Sequence, residues 1–150
     1  MNGLASSLVL LPCAEGEAWA VPQVCLGEIV TVTEAGESPP EQISWRGREV
    51  PVMDRGAGCS AHWRDASGET GLVAVLLALD ETSGEHWGVA VKGEGLAYAA
   101  IRGEDIEDCP DGVADNAIAA FRYRGTVYQV PDLLAWQKIM AGVEQPATKQ

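Results

Sequence analysis

The chain has 150 residues, of which 47% are apolar and 21% charged, and this balance excludes both a disordered tail and a membrane-embedded protein. Twenty-two Asp and Glu residues against ten Lys and Arg give a formal net charge of -12. A field of that sign repels phosphate backbones and anionic lipids, which argues against nucleic-acid and membrane-surface binding. Seventeen Gly and eight Pro residues among short apolar runs favour a mostly β chain over a helix bundle.

The N-terminal segment resembles a lipoprotein export signal only loosely. Its apolar run, Leu8 to Leu11, is followed by Pro12 and Cys13. No Lys or Arg precedes the run, and Pro12 stands where a signal sequence needs a small residue. We therefore expect a cytoplasmic protein whose cysteine thiols are reduced.

Two motifs occur twice along the chain, in the same order. G-E-x-W-x-V stands at 16–21 and again at 84–89, each time after an apolar run. Aromatic-Arg-Gly stands at 45–47 and again at 123–125, each time followed by a Val-containing segment that ends in Asp. Both motifs are typical of β-hairpins, the second with Gly in its tight turn. The repetition predicts two similar β lobes that pack together, because a lobe of about 60–70 residues is marginal alone.

The segments between the hairpins predict shorter elements. We expect a helical turn, two strands and a loop, at residues 22–26, 28–33, 96–101 and 36–41 respectively.

The longer connections are a linker, a helix and a tail. Residues 55–71, rich in Gly and Ser, are predicted to link the two lobes. A helix is expected from Pro131 to Met140, with Leu133, Trp136 and Met140 on the face that docks on a barrel. Residues 144–150 are predicted to form a flexible tail.

The sequence carries none of the common catalytic motifs, which favours a protein that is not an enzyme and has no cofactor. His86 replaces Ala18 of the first hairpin copy, so we expect it to face solvent. Cys59 and His62 have the spacing of two metal ligands, but no second pair follows. The acidic run from Glu104 to Asp115 does not match a calcium-binding loop and is predicted to be solvated.

The few basic residues concentrate near the first aromatic-Arg-Gly hairpin. Arg next to Trp is a composition favoured at protein–protein hot spots, and Glu28, Glu49 and Asp54 are available to pair with the arginines. The predicted partner-binding residues are Trp45, Arg46, Gly47, Arg48, Glu28 and Asp54.

In order and spacing, these motifs resemble the CheW-like chemotaxis coupling family over about residues 8–141. The matching segments of the first half are the run at 8–11, the hairpin at 16–21, Pro22-Gln23-Val24 with Glu28-Ile29, and the Arg-Gly hairpin at 46–54. Those of the second half are the run at 73–79, Gly88 to Val91, Arg124-Gly125, and Val130-x-Asp132-Leu133-Leu134 before a final helix.

The resemblance implies a single domain at 8–143, made of two packed five-stranded β-barrel (SH3-like) lobes with short helices and a C-terminal helix. It implies a non-enzymatic cytoplasmic adaptor that binds the tips of methyl-accepting chemoreceptors and the regulatory domain of a chemotaxis histidine kinase. Arg46 matches the family's hairpin Arg, which is associated with the coupling surface. The Trp-Arg-Gly form of the hairpin is similar to accessory coupling proteins of type IV pilus chemosensory systems, which act in twitching motility.

The chain also departs from the family. Ser44-Trp45 stands where Asn-Leu is common, and Val91-Lys92 where Val-Asp is usual. These departures leave the expected fold intact and bear on how kinase and receptor are engaged. Two alternatives remain: a small-ligand β-barrel, favoured by five Trp residues, and a metal-binding protein that uses Cys59 and His62.

Overall fold

The computed structural model describes residues 6–14, 17–33, 36, 38–54, 63, 70–78, 86–92 and 96–143. Its strands, in chain order, are β1 (Ser6–Ala14), β2 (Glu17–Pro22), β3 (Leu26–Thr33), β4 (Gln42–Trp45), β5 (Arg48–Met53), β6 (Thr70–Leu76), β7 (Trp87–Val91), β8 (Ala97–Ile101), β9 (Glu107–Asp108), β10 (Ala117–Tyr123) and β11 (Thr126–Pro131). The helical segments are the α-helix α1 (Leu133–Val143) and the 3₁₀ turns Gln23–Cys25, Gly103–Asp105 and Pro110–Gly112.

These strands form two sheets, as the prediction of a mostly β, two-lobed protein with a C-terminal helix requires, and that prediction is confirmed. One sheet has the order β3-β6-β7-β5-β4, and the other has the order β8-β1-β2-β11-β10-β9. The second sheet has a sixth described strand because the two-residue strand β9 adds to its edge.

The two halves of the chain are equivalent in topology, and they are intertwined. If β1, β2, β3, β4 and β5 are matched to β6, β7, β8, β10 and β11, one sheet order becomes the other. Each sheet therefore combines the first hairpin of one half with later strands of the other half, namely β3, β4 and β5 in the five-stranded sheet and β8, β9, β10 and β11 in the six-stranded sheet. The predicted repeat is confirmed, and the expectation that each half folds into its own lobe is wrong.

The exchange of strands was not visible in the motifs because the motifs are local. Each repeated hairpin pairs residues that are close in sequence, with Leu11 opposite Trp19 and Leu76 opposite Trp87. The contacts that assign a hairpin to a sheet are parallel pairings of distant segments, Gln129 with Trp19 and Val52 with Gly88. Nothing in a hairpin's own residues specifies such a distant neighbour.

Residues 55–71, predicted as a linker between lobes, connect two strands of one sheet. They follow β5 and precede β6, and Thr70 and Gly71 belong to β6. Trp63 of this segment is buried and packs with Val52, Val73 and Ala90. Gly and Ser content indicates a lack of periodic structure, but it does not reveal which sheet the ends enter. The predicted tail, 144–150, lies outside the described residues.

The main core lies between the two sheets. Both β1 and β6 are buried on both faces, which explains why they read as continuous apolar runs. The shared core draws residues from both sheets and from α1: Val9, Leu11, Cys13, Trp19, Val21, Ala74, Leu76, Trp87, Val89, Val91, Trp136 and Met140. Trp136 and Met140 are buried and Leu133 is partly buried, so the predicted docking face of the helix is confirmed.

Three Trp rings form the centre of this core. The Trp19 and Trp87 rings, from the two copies of the same motif, meet edge to face with centroids 6.3 Å apart. The Trp136 ring of α1 lies 5.8 Å from the Trp19 ring. Aromatic contacts of this kind contribute about 0.5–1.5 kcal/mol beyond the burial of their area. The repeated Trp residues therefore join the two sheets.

The interior of each sheet is filled by its own side chains. Trp63 occupies the inside of the five-stranded sheet. Phe121, Leu10, Ala20 and Ile101 occupy the inside of the six-stranded sheet. Small β-barrels filled in this way leave little volume for a ligand, so the structure does not favour the small-ligand alternative.

Gly71 tests the packing of Trp63. A Cβ at Gly71 would lie 2.5 Å from the Trp63 ring, whereas a Cβ at Gly103 would meet nothing within 4 Å. We expect Gly71→Ala to lower the free energy of unfolding by about 1–3 kcal/mol through overpacking, and Gly103→Ala to change it by less than ~0.5 kcal/mol. Urea denaturation of the two variants provides the measurement, and equal stabilities would contradict the packing described.

Candidate functional site

The two aromatic-Arg-Gly hairpins share an unusual backbone conformation. Arg46 and Gly47 both have positive φ, 53° and 79°, and Arg124 and Gly125 have 53° and 84°. Positive φ at both central residues defines a type I′ turn, which matches the twist of the flanking strands. The expected role of Gly is confirmed. The Arg residues were not expected to share it, since this conformation costs a non-Gly residue roughly 1–2 kcal/mol.

Each of these arginines lies over the aromatic ring that precedes it. The Arg46 guanidinium carbon is 4.5 Å from the centre of the Trp45 ring, and that of Arg124 is 5.0 Å from the Tyr123 ring. A cation–π contact at an exposed site contributes about 0.5–1 kcal/mol, which offsets part of the turn's strain. Both arginines remain exposed. Each turn thus holds a guanidinium in a restricted position on the surface.

In the first hairpin, described residues from β3 and from just before β7 support the aromatic ring. Trp45 Nε1 donates a 2.8 Å hydrogen bond to Glu28 Oε1. The His86 ring meets the Trp45 ring edge to face, with centroids 5.5 Å apart. A Cβ at Gly27 would lie 2.9 Å from the Trp45 ring. Trp45 is consequently only 6% exposed.

The hydrogen bond from Trp45 to Glu28 also connects the two edge strands of the five-stranded sheet through their side chains. Glu28 lies on β3 and Trp45 on β4, and these strands are the two ends of the sheet order. A contact between opposite edges requires the sheet to curl on itself. The second hairpin has no such bond, because strand registers place Ala97 at the position equivalent to Glu28.

His86 is a structural residue, and the expectation that it faces solvent is wrong. It is half-buried, and its Nδ1 accepts a 2.9 Å hydrogen bond from the Ala78 backbone N–H. The substitution of His for Ala18 between the repeats suggested tolerance. His86 instead makes two specific contacts, with the Ala78 backbone N–H and with the Trp45 ring. No described residue makes equivalent contacts with Ala18.

Asp54 lies apart from the other predicted partner-binding residues. It stands just beyond the far end of β5, about 20 Å along the strand from the turn. Its carboxylate is 2.9 Å from Lys92 Nζ, whose side chain is 7% exposed. Asp54 therefore lies too far along β5 to pair with Arg46 or Arg48 at the turn. Arg55 and Arg64 lie outside the described residues. The sequence did mark Lys92 as a departure from the family pattern, but its role as the buried partner of Asp54 was missed.

Of the six predicted residues, five lie together. Trp45, Arg46, Gly47 and Arg48 form the hairpin tip, and Glu28 supports it from β3. Gly27 and His86 belong to the same neighbourhood and were not predicted for it. A signal for His86 was present, since it is the one polar substitution for a small residue in the second hairpin motif.

The acidic run borders the other sheet. Its carboxylates at 104, 105, 107, 108, 111 and 115 are exposed, as predicted. Glu107 forms a 3.0 Å ion pair with Arg122, and Asp105 accepts a hydrogen bond from the Arg102 backbone N–H. The short strand β9 within this run was not predicted, because two residues give no periodic signal.

The described residues offer little for catalysis or metal binding. Burial raises the pKa of the Cys25 thiol, which leaves less of the nucleophilic thiolate at neutral pH. No three His, Cys, Asp or Glu side chains of the described ranges are grouped as a metal site. Cys59 and His62 lie outside those ranges. Among the described helical segments, none has the length and apolarity needed to cross a bilayer.

Comparison with known proteins gives a structural match without a sequence match. No family model matches the chain, and no curated protein sequence matches it. The fold is similar to that of the scaffolding protein TtCheW from Thermoanaerobacter tengcongensis, with a TM-score of 0.57 and 18% identity over 85% of this chain and 89% of that chain. The chain has a CheW-like fold. The resemblance found in the sequence motifs is thereby confirmed for the fold.

The Trp45–Glu28 bond gives a stability prediction. Glu28→Ala removes the acceptor of the part-buried Trp45 indole N–H, and we expect the free energy of unfolding to fall by about 1 kcal/mol. Glu28→Gln keeps an acceptor oxygen and should cost less. Glu49→Ala, at an exposed residue of the same hairpin, is the control and should be near neutral. Chemical denaturation measures all three, and an unaffected Glu28→Ala variant would exclude this bond as a support.

Two ion pairs of similar length but different burial give a second prediction. Asp54→Ala leaves the buried Lys92 ammonium without this carboxylate, and we expect a loss of about 3 kcal/mol. Arg122→Ala breaks the exposed 3.0 Å pair with Glu107 and should cost less than ~1 kcal/mol. Thermal and urea unfolding compare the variants, and equal losses would contradict a structural role for Asp54.

Proposed function

We propose that the chain is a non-enzymatic cytoplasmic adaptor of a chemosensory system, which couples methyl-accepting chemoreceptors to a chemotaxis histidine kinase. The observation that carries the proposal is the CheW-like fold, because the matched structure is a scaffolding protein and the match spans nearly all of both chains. The order of the sequence motifs supports the same family independently. We place the partner-binding surface at the first aromatic-Arg-Gly hairpin.

The chemistry of that hairpin fits a protein interface. Arg46 is exposed, and the turn and the Trp45 ring restrict its side chain before any partner arrives. A side chain that is already ordered loses less conformational entropy on binding. Arg and Trp are also enriched among the few residues that supply most of an interface's binding energy. Arg48 is exposed on the same hairpin and supplies a second guanidinium.

The finer assignment follows from the form of the turn. Trp-Arg-Gly is similar to the hairpin of accessory coupling proteins in type IV pilus chemosensory systems, and we propose an output in twitching motility. The Trp45 side chain of this hairpin is fixed by specific contacts, since it bonds to Glu28 and packs against His86. Deletion of the gene tests this assignment: loss of twitching supports it, and loss of swimming alone contradicts it.

The central test is a charge reversal with a matched control. We expect Arg46→Glu to weaken binding to the purified kinase regulatory domain or to the chemoreceptor tip at least tenfold, while thermal melting shows a folded protein. The control is Arg124→Glu, which makes the same change in the equivalent turn of the other sheet. It should leave binding within about twofold.

Binding of neither partner by the wild-type chain would contradict the adaptor proposal. Binding that is equally strong in the wild type and in Arg46→Glu would remove the first hairpin from the coupling surface.

A further inference from the structure

The six-stranded sheet shows how an edge strand of this fold is covered. The short strand β9 pairs antiparallel with β10, with Asp108 opposite Phe121 and Glu107 opposite Arg122. The Cys109 backbone N–H donates a 2.9 Å hydrogen bond to the Ala120 carbonyl, and the Glu107 carboxylate pairs with the Arg122 guanidinium. An acidic extended segment thus occupies the outer edge of β10.

The equivalent edge in the five-stranded sheet belongs to β4, and it has no neighbour among the described strands. In the hairpin of β4 and β5, Trp45 pairs with Arg48 next to the two-residue turn. Because antiparallel pairs alternate, Ser44 and Gln42 direct their backbone N–H and C=O groups away from β5. Both residues are exposed. They occupy the positions of Arg122 and Ala120 in the other half.

The connections that lead to the two equivalent edges differ in length. The connection that supplies β9 spans residues 102–116, whereas the equivalent connection, between β3 and β4, spans only 34–41. The shorter connection includes Pro39 and Pro40, which have no N–H to contribute to a ladder. Among the described strands, the repeat therefore provides the same edge twice and a covering strand once.

The charges beside the open edge indicate what complements it. Arg46 and Arg48 are exposed at the hairpin tip, and neither is ion-paired with a described carboxylate. In the covered edge, β9 brings the Glu107 carboxylate to the Arg122 guanidinium, two residues before Arg124. Arg124 is the equivalent of Arg46. A carboxylate on a strand docked along β4 would likewise be attracted by the guanidinium groups of the hairpin tip.

We propose that β4 accepts an extended, acidic segment of another protein as an additional antiparallel strand, with backbone bonds to Gln42 and Ser44 and with carboxylates near Arg46 and Arg48. The proposal deepens the proposed function and rests on it only for the identity of the protein that supplies the segment. A second copy of this chain is the alternative occupant, and sedimentation of the free protein tests it below. Main-chain pairing of this kind is a common mode of peptide recognition.

The probe is a blocked synthetic peptide that copies residues 103–112, with Ser in place of Cys109, titrated into the full-length protein and followed by NMR. We expect saturable shifts at the Gln42 and Ser44 amides and slower hydrogen exchange at Ser44. Ser44→Pro removes the outward N–H at an edge position that tolerates proline, and it should weaken binding at least tenfold. Ser44→Thr keeps the N–H and should stay within about twofold.

A second variant covers the case in which Ser44→Pro does not fold. Arg46→Ala/Arg48→Ala leaves the ladder intact, and it should weaken binding about tenfold and reduce its salt dependence. A peptide with Lys in place of each acidic residue should not bind. Absence of peptide binding, shifts centred away from β4, or equal affinity of all variants would overturn the proposal.

Two further outcomes separate this proposal from the others. Sedimentation of the free protein that shows self-association abolished by Ser44→Pro would make a second copy the occupant and overturn the choice made here. If the peptide binds at β4 but neither kinase domain nor receptor tip binds the protein, the proposed function fails and the docking edge stands. If the partners bind and the peptide does not, the docking edge fails alone.

Discussion

The contact between the two sheets through Trp19 and Trp87 is the constraint on which the rest of the structure depends. These residues come from the two copies of one hairpin motif, and their rings meet inside a core that contains residues of both sheets. Because each sheet combines strands of both halves, neither half of the sequence contains a complete sheet. Burial of the shared core and completion of the sheets are therefore the same event. A chain of this size has about two-thirds of its surface to bury, and the intertwined arrangement directs it into one connected interior.

Equivalence of the halves makes their differences informative. Both halves form an aromatic-Arg-Gly turn with the guanidinium over the ring. Within the described ranges, the first half adds the Glu28 acceptor and the His86 contact, and the second half adds a covering strand. The first hairpin is thus rigid and open, whereas the second lies beside an edge that is already covered. This difference is the basis on which we propose the first hairpin as the surface for a partner.

Sequence patterns predicted the elements that depend on local chemistry. The two hairpins, the turn glycines, the strand at β3 and the docking face of α1 all follow from residues close together in the chain. The motif order also led to the CheW-like fold without a match at the level of the whole sequence. The exchange of strands between sheets was missed because it depends on pairings such as Val52 with Gly88. Those pairings are set by packing over long distances, which short motifs do not encode.

The candidate site likewise combines contacts within one hairpin, which the sequence predicted, with long-range contacts, which it did not. Trp45, Arg46, Gly47 and Arg48 share one hairpin, so their proximity was predictable. Glu28 reaches them because the sheet curls, while Asp54 is carried to the other end of β5 and pairs with Lys92. Composition alone suggested that any nearby carboxylate pairs with the arginines. The fold decides which carboxylate supports a ring and which neutralises a buried ammonium.

The most direct test of the account is residue-resolved urea unfolding by NMR, with the midpoint followed separately for amides of β10 and β11 and for amides of β4 and β5. If the sheets are built from exchanged strands around one Trp-centred core, both sets must lose their native signals at the same urea concentration and with the same slope. Two separate transitions, with one sheet intact after the other has melted, would contradict it.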